Sequence, residues 1–75
     1  MNQNNLNLNI ILPTYNEEKN VEFIIPQIFE LLSRKKYENY EVTVVDDNSS
    51  DATSDIVKKM IKNESNLFLV ERRER

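Results

Sequence analysis

Three short runs rich in β-branched and apolar residues, at positions 8–12, 41–46 and 67–70, are separated by two longer stretches whose apolar residues recur three and four apart. Runs of that length suit buried strands, and the longer spacing suits helices that bury one face. This alternation limits the topology sharply. Strands that follow one another in parallel need a crossover, and a helix is the usual one. The chain is therefore expected to be α/β, with a parallel sheet in β-α-β-α-β order. In open sheets of this kind, ligands bind outside the carboxyl ends of the strands. Those ends are Pro13-Thr14-Tyr15-Asn16-Glu17 and Asp46-Asp47-Asn48-Ser49, so both polar segments are expected on one rim.

Local signals place the element ends. Pro13 cannot donate to a ladder, so the first strand is expected to finish there. Asn20 is a candidate helix cap. Val21, Ile24, Ile25, Ile28, Phe29 and Leu32 then form one apolar face, in phase on both sides of Pro26, which predicts a helix kinked at the proline. Arg34, Lys35 and Lys36 suit the negative end of that helix. The second helix is expected from Thr53, with Asp55 in its first turn, Lys58, Lys59 and Lys62 toward its end, and Ile56, Val57, Met60 and Ile61 buried. Tyr37 and Tyr40 read as packing residues, and Asp51 and Thr53 as structural residues of the loop and helix start. Residues 1–6 read as a disordered leader and 7–75 as a single, partial domain.

Composition removes several classes. Of 75 residues none is cysteine, histidine or glycine. That excludes a disulfide framework, the usual zinc sites, the Walker loop and the glycine-rich dinucleotide turn. A net charge of −3 argues against a general nucleic-acid binder. The groups Arg34-Lys35-Lys36 and Arg72-Arg73-Arg75 read as solvated element ends, with a phosphate or lipid-headgroup site as the alternative. The apolar stretch at 21–32 is broken by Glu22, Pro26, Gln27 and Glu30, and is shorter than the roughly 20 residues that span a bilayer.

A nucleotide base needs a polar partner at its edge and a flat or apolar surface at its face. Asp46 can offer the first, and Tyr15 and Pro13 the second. Glu17 can accept hydrogen bonds from ribose hydroxyls, as an acidic residue does in dinucleotide-binding folds. The plainer readings remain open at this point. Glu17 and Glu18 can be a solvated pair, Asp46 and Asp47 can solubilise a strand end, and Tyr15 can be a rim aromatic without a ligand.

Pro13-Thr14-Tyr15-Asn16-Glu17 after a strand, followed about thirty residues later by Val44-Val45-Asp46-Asp47-Asn48-Ser49-Ser50-Asp51-Ala52-Thr53, resembles the start of the family 2 GT-A glycosyltransferases. Within them it is most similar to the dolichol-phosphate and polyprenol-phosphate mannose synthases. The resemblance implies a Rossmann-like GT-A nucleotide-binding half. It implies that Pro13, Tyr15 and Glu17 line the nucleotide pocket, that Asp46 reads the base with Val44 beside it, and that Asp47 lies near the sugar nucleotide. It also implies that the first strand separates the second from any later partner. Glycine often stands in the family where Asn48 and Ala52 stand here. Asparagine tolerates the left-handed region, whereas alanine favours helix.

The implied activity is transfer of a hexose, mannose from GDP-mannose by resemblance, to a polyprenyl or dolichyl phosphate at the cytoplasmic face of a membrane or in the cytoplasm. A divalent cation, Mg or Mn, would serve the donor diphosphate. Its Asp-x-Asp element, the catalytic base and the acceptor-side elements are expected beyond these residues. The chain is therefore expected to hold no catalytic residue and to be inactive alone. Alternatives are an undecaprenyl-phosphate glucosyltransferase or polysaccharide synthase of the same family, a non-catalytic α/β module, and a receiver-like domain. The receiver reading fits poorly, because the acidic pair here ends the second strand and not the first.

Overall fold

The computed structural model describes residues 7–35 and 39–73. They form β1 (Asn7–Thr14), α1 (Glu18–Arg34), β2 (Asn39–Asp46), α2 (Thr53–Ile61) and β3 (Leu67–Glu71). The expected leader at 1–6, the packing role of Tyr37, and the basic residues Lys36 and Arg75 fall outside the described residues. The α/β class and the parallel sheet are as expected. No described helix is long and apolar enough to cross a membrane.

Register sorts the strand residues into two rows. Ile10 pairs with Val42 and Val42 with Leu67, while Leu12 pairs with Val44 and Val44 with Leu69. Side chains alternate along a strand, so these residues share one face. That face is the covered one. Val42, Val44 and Leu67 are buried with Val21, Ile25 and Leu32 of α1 and Val57 of α2. Burying each such side chain contributes about 1.5–3 kcal/mol. The two helices also touch each other, so both lie over this face. At its amino end Tyr40 packs on Phe29, with ring centroids 6.1 Å apart and planes tilted by 49°. The other row holds Ile11, Phe68 and Val70, all exposed.

Three local expectations are corrected. β1 continues through Pro13 to Thr14. The Thr14 carbonyl accepts the Asp47 N–H, so Thr14 faces β2 and the nitrogen of Pro13 faces the outer edge, where no described strand needs a donor. The cap of α1 is Glu17 and not Asn20, which lies inside the helix and donates from its side-chain amide to Glu17 Oε1 at 2.8 Å. Ile24, expected on the buried face, is exposed. As the in-phase apolar face predicted, α1 runs through Pro26. Pro26 and Glu22 are both exposed, so the carbonyl that loses its intrahelical donor stays open to water.

Strand order needs a fourth correction. β3 adds to the far edge of β2, giving the order β1-β2-β3. β2 is thus central, and β3 does not lie beside β1. The linker through α2 is short, and it returns the chain next to the strand it has just left.

Candidate functional site

β1 and β2 end level, with Thr14 opposite Asp46. Beyond them the loops at 14–18 and 46–53 meet. Each contains one asparagine in the left-handed region, Asn16 at φ 52° and Asn48 at φ 61°. In a chain without glycine these are the residues that reach that region at least cost. Ala52, at φ −85°, sits in ordinary backbone, so alanine meets no steric penalty there.

Asp46 is the buried hub of this rim, with a relative exposure of 1%. Thr14 Oγ1 and Ser49 Oγ donate to its Oδ1 at 2.7 and 2.6 Å, and the Ser49 N–H donates to Oδ2 at 2.9 Å. Burial pushes this carboxyl up, but the hydroxyls of Ser49 and Thr14 and the Ser49 N–H outweigh it and hold the group below its ordinary range. The network crosses to the other loop, because the Asn16 N–H donates to Ser49 Oγ at 2.7 Å. Asn16 Oδ1 in turn accepts the Ser50 N–H at 2.9 Å.

A second set of bonds joins the helix starts. The Glu17 N–H donates to Thr53 Oγ1 at 2.9 Å, and the Glu18 N–H to Asp51 Oδ2 at 3.2 Å. In return Glu18 Oε1 accepts the Ala52 N–H at 2.9 Å. The Thr53 hydroxyl donates to Asp51 Oδ1, which also accepts the Thr53 N–H. Thr53 of α2 and Glu18 of α1 thus each accept the cap-position N–H of the other helix. Such N–H groups have no partner within their own helix. The N–H groups of Glu17, Glu18, Ala52 and Thr53 are taken in this way.

The residues expected to touch a nucleotide divide into two groups. Pro13 and Tyr15 are exposed and Glu17 is half-buried, all on the β1 side of the rim. Val44 and Asp46 belong to the row under the helices, Val44 with no exposure at all. Asp46 already accepts three bonds and is almost fully buried, so little of its carboxylate is open to a base. Asp47 leaves the buried row and is half-buried, and among the described residues its carboxylate accepts no hydrogen bond. One signal for this was present in the sequence. Glu41 and Thr43 mark the odd-numbered row of β2 as the more polar, and Asp47 continues that row. Thr14, Asn16 and Ser49 went unremarked as individual residues, because their roles depend on contacts more than thirty positions apart.

A groove of about 340 Å³ lies along the outer side of β1, between Pro13 and Glu17 and the exposed Phe23 and Ile24 of α1. Thr14 and Glu17 of the rim line it, and Asp46 does not. On the far side, β3 ends in Glu71, which takes Lys58 at 3.2 Å and Arg73 at 3.4 Å. The Arg72 N–H donates to the Asp46 carbonyl at 2.8 Å, bringing an exposed arginine next to the end of β2. Among the described residues no group of three His, Cys, Asp or Glu side chains is placed to hold a metal ion.

Residues 9–75 match the model of glycosyl transferase family 2, and the chain belongs to that family. It is 33% identical over 67 residues to a dolichyl-phosphate beta-glucosyltransferase of Trichomonas vaginalis, covering 84% of this chain and 20% of that protein. It is 36% identical over 56 residues to the dolichyl-phosphate beta-glucosyltransferase of Mus musculus, covering 69% of this chain and 17% of that protein. A dolichyl N-acetyl-alpha-D-glucosaminyl phosphate 3-beta-D-2,3-diacetamido-2,3-dideoxy-beta-D-glucuronosyltransferase of Methanococcus voltae is 38% identical over 55 residues, covering 73% of this chain and 16% of that protein. The chain thus spans about a fifth or less of the length of the curated relatives it matches.

Proposed function

We propose that this chain forms the nucleotide-reading part of a glycosyltransferase that moves a hexose from a nucleotide donor to a dolichyl or polyprenyl phosphate at the cytoplasmic face of a membrane. The observation that carries the reading is the interlocking of two polar loops at the carboxyl ends of adjacent parallel strands, in a chain of family 2. In this reading Pro13 and Tyr15 give the base a surface, and Glu17 accepts from the ribose. Asp47 offers the edge of the base a carboxylate. Asp46 supports that loop from beneath, and Val44 backs it from the core, so both act without touching the base. Arg72, whose N–H is bonded to the Asp46 carbonyl, is a cation at this rim for the diphosphate. The divalent cation, Mg or Mn, expected for the diphosphate has no ligand set among the described residues.

The motifs favour mannose from GDP-mannose. Two relatives are named for glucosyl transfer, which favours glucose instead. Calorimetric titration of the whole protein with UDP-glucose and GDP-mannose decides between them. One of the two is expected to bind, and Asp47→Ala is expected to weaken it by about 1–3 kcal/mol, the usual cost of an unpaired buried polar group. Binding of neither donor overturns the reading. Unchanged affinity in Asp47→Ala overturns the role given to that carboxylate.

A further inference from the structure

We propose that Asp51 is a positioning residue, one that sets the spacing of the two rim loops and so the fit of the nucleotide. The proposal rests on the nucleotide site described above and adds a residue that touches no ligand in it. Asp51 was expected to matter only to its own loop. Its two oxygens instead reach two different elements. Oδ2 accepts the Glu18 N–H of α1, thirty-three positions away, and Oδ1 accepts the N–H and hydroxyl of Thr53 at the start of α2. Thr53, fully buried, passes the link on by accepting the Glu17 N–H. Glu17 and Glu18 directly follow Tyr15 and Asn16, so the clasp fixes the end of the loop that carries the proposed base-facing and ribose-facing groups.

The charge state suits this role. Desolvation works upward on the Asp51 carboxyl, but the Thr53 hydroxyl and N–H and the Glu18 N–H outweigh it and hold the group below its ordinary range. At neutral pH both oxygens are therefore acceptors, which a clasp between two sets of donors requires. Neither loop has glycine to relax into another path, and each is already turned by a left-handed asparagine. Loss of the clasp should therefore loosen the placement of Tyr15 and Glu17 more than it loosens the sheet.

The test compares wild type, Asp51→Ala and Asp51→Asn in the whole protein. Affinity for UDP and GDP is read by calorimetry, and KM and kcat with the donor that binds. Asp51→Ala is expected to weaken binding and raise KM about tenfold while kcat changes less than twofold, since the interaction lost orients the ground-state nucleotide. Asp51→Asn keeps one accepting oxygen but turns an amide toward the other donors, so about threefold is expected; it supplies the test if Asp51→Ala does not fold. A purely structural residue would lower kcat with the folded fraction and leave KM alone, and that result overturns the proposal. Wild-type binding matched within twofold by both variants also overturns it and leaves the nucleotide site standing. A wild type that binds neither nucleotide overturns the site itself, and this proposal with it.

Discussion

The two faces of the sheet are built from similar residues and end in opposite states. Under the helices, Val42, Val44 and Leu67 are almost fully buried. On the other face Ile11, Phe68 and Val70 are exposed, at 55%, 43% and 47%. Both faces carry large apolar side chains, as suits a parallel sheet, which is usually covered on both sides. The polar exceptions are informative. Asn9 and Thr43 share a bond of 3.3 Å on the open face, where polar groups cost little. Asp46 and Thr14 lie on the covered face, where each is tolerated because it satisfies the other. Among the described residues nothing covers the open face, which carries three large apolar side chains in one row across the strands.

The sharpest way to break the comparison is to place a charge on each face. Val44→Asp puts an unpaired carboxylate into the core and is expected to abolish cooperative folding, read by circular dichroism against urea. Val70→Asp places the same group on the open face and is expected to shift stability by about 0.5 kcal/mol or less in the chain alone. If Val70→Asp were as damaging as Val44→Asp, the open face would be buried against something in solution.

A smaller effect is expected at the buried polar pair. Asp46→Ala leaves the Thr14 hydroxyl without its acceptor and is expected to cost about 1–3 kcal/mol in urea unfolding. The pH dependence has a definite sign. The carboxyls of Asp46 and Asp51 lie below the ordinary 3.8 in the folded chain, so the unfolded chain takes up protons first. Their contribution is present above the unfolded value and is lost as pH falls through the lower folded values. Asp46→Asn should flatten the acid limb of the stability curve. An unchanged limb would mean that other carboxyls govern acid unfolding.

The least effect belongs to the exposed surface of α1. Glu30 and Arg34 approach to 3.9 Å one turn apart, both largely exposed. Glu30→Ala is expected to cost less than about 0.5 kcal/mol, and less still in high salt. A larger loss, measured by thermal unfolding, would show this surface to be packed against another part of the protein.

Much of the fold was legible because it depends on local pattern. β-branched runs announced the strands, and the apolar spacing from Val21 to Leu32 announced α1 even across Pro26. The site was legible as a place more than as a set of contacts. The residues around Pro13 and Asp46 were correctly brought to one rim. That Asp46 and not Asp47 is sunk beneath the helices was signalled only weakly, by the polar Glu41 and Thr43 of the other row, and was decided by α1 and α2 lying on the same side.

By itself, then, the order of residues determined the element sequence, the parallel sheet and the family. Each follows from periodicity, from β propensity or from a motif read along the chain. Tertiary structure alone decided that β2 is central, that Pro13 can stand in an edge strand, and that Asp51 bonds to the start of α1. The reason is physical. A hydrogen bond across thirty-three positions depends on where two loops meet once the helices have chosen a face, and no local preference of Asp51 or Glu18 encodes that meeting.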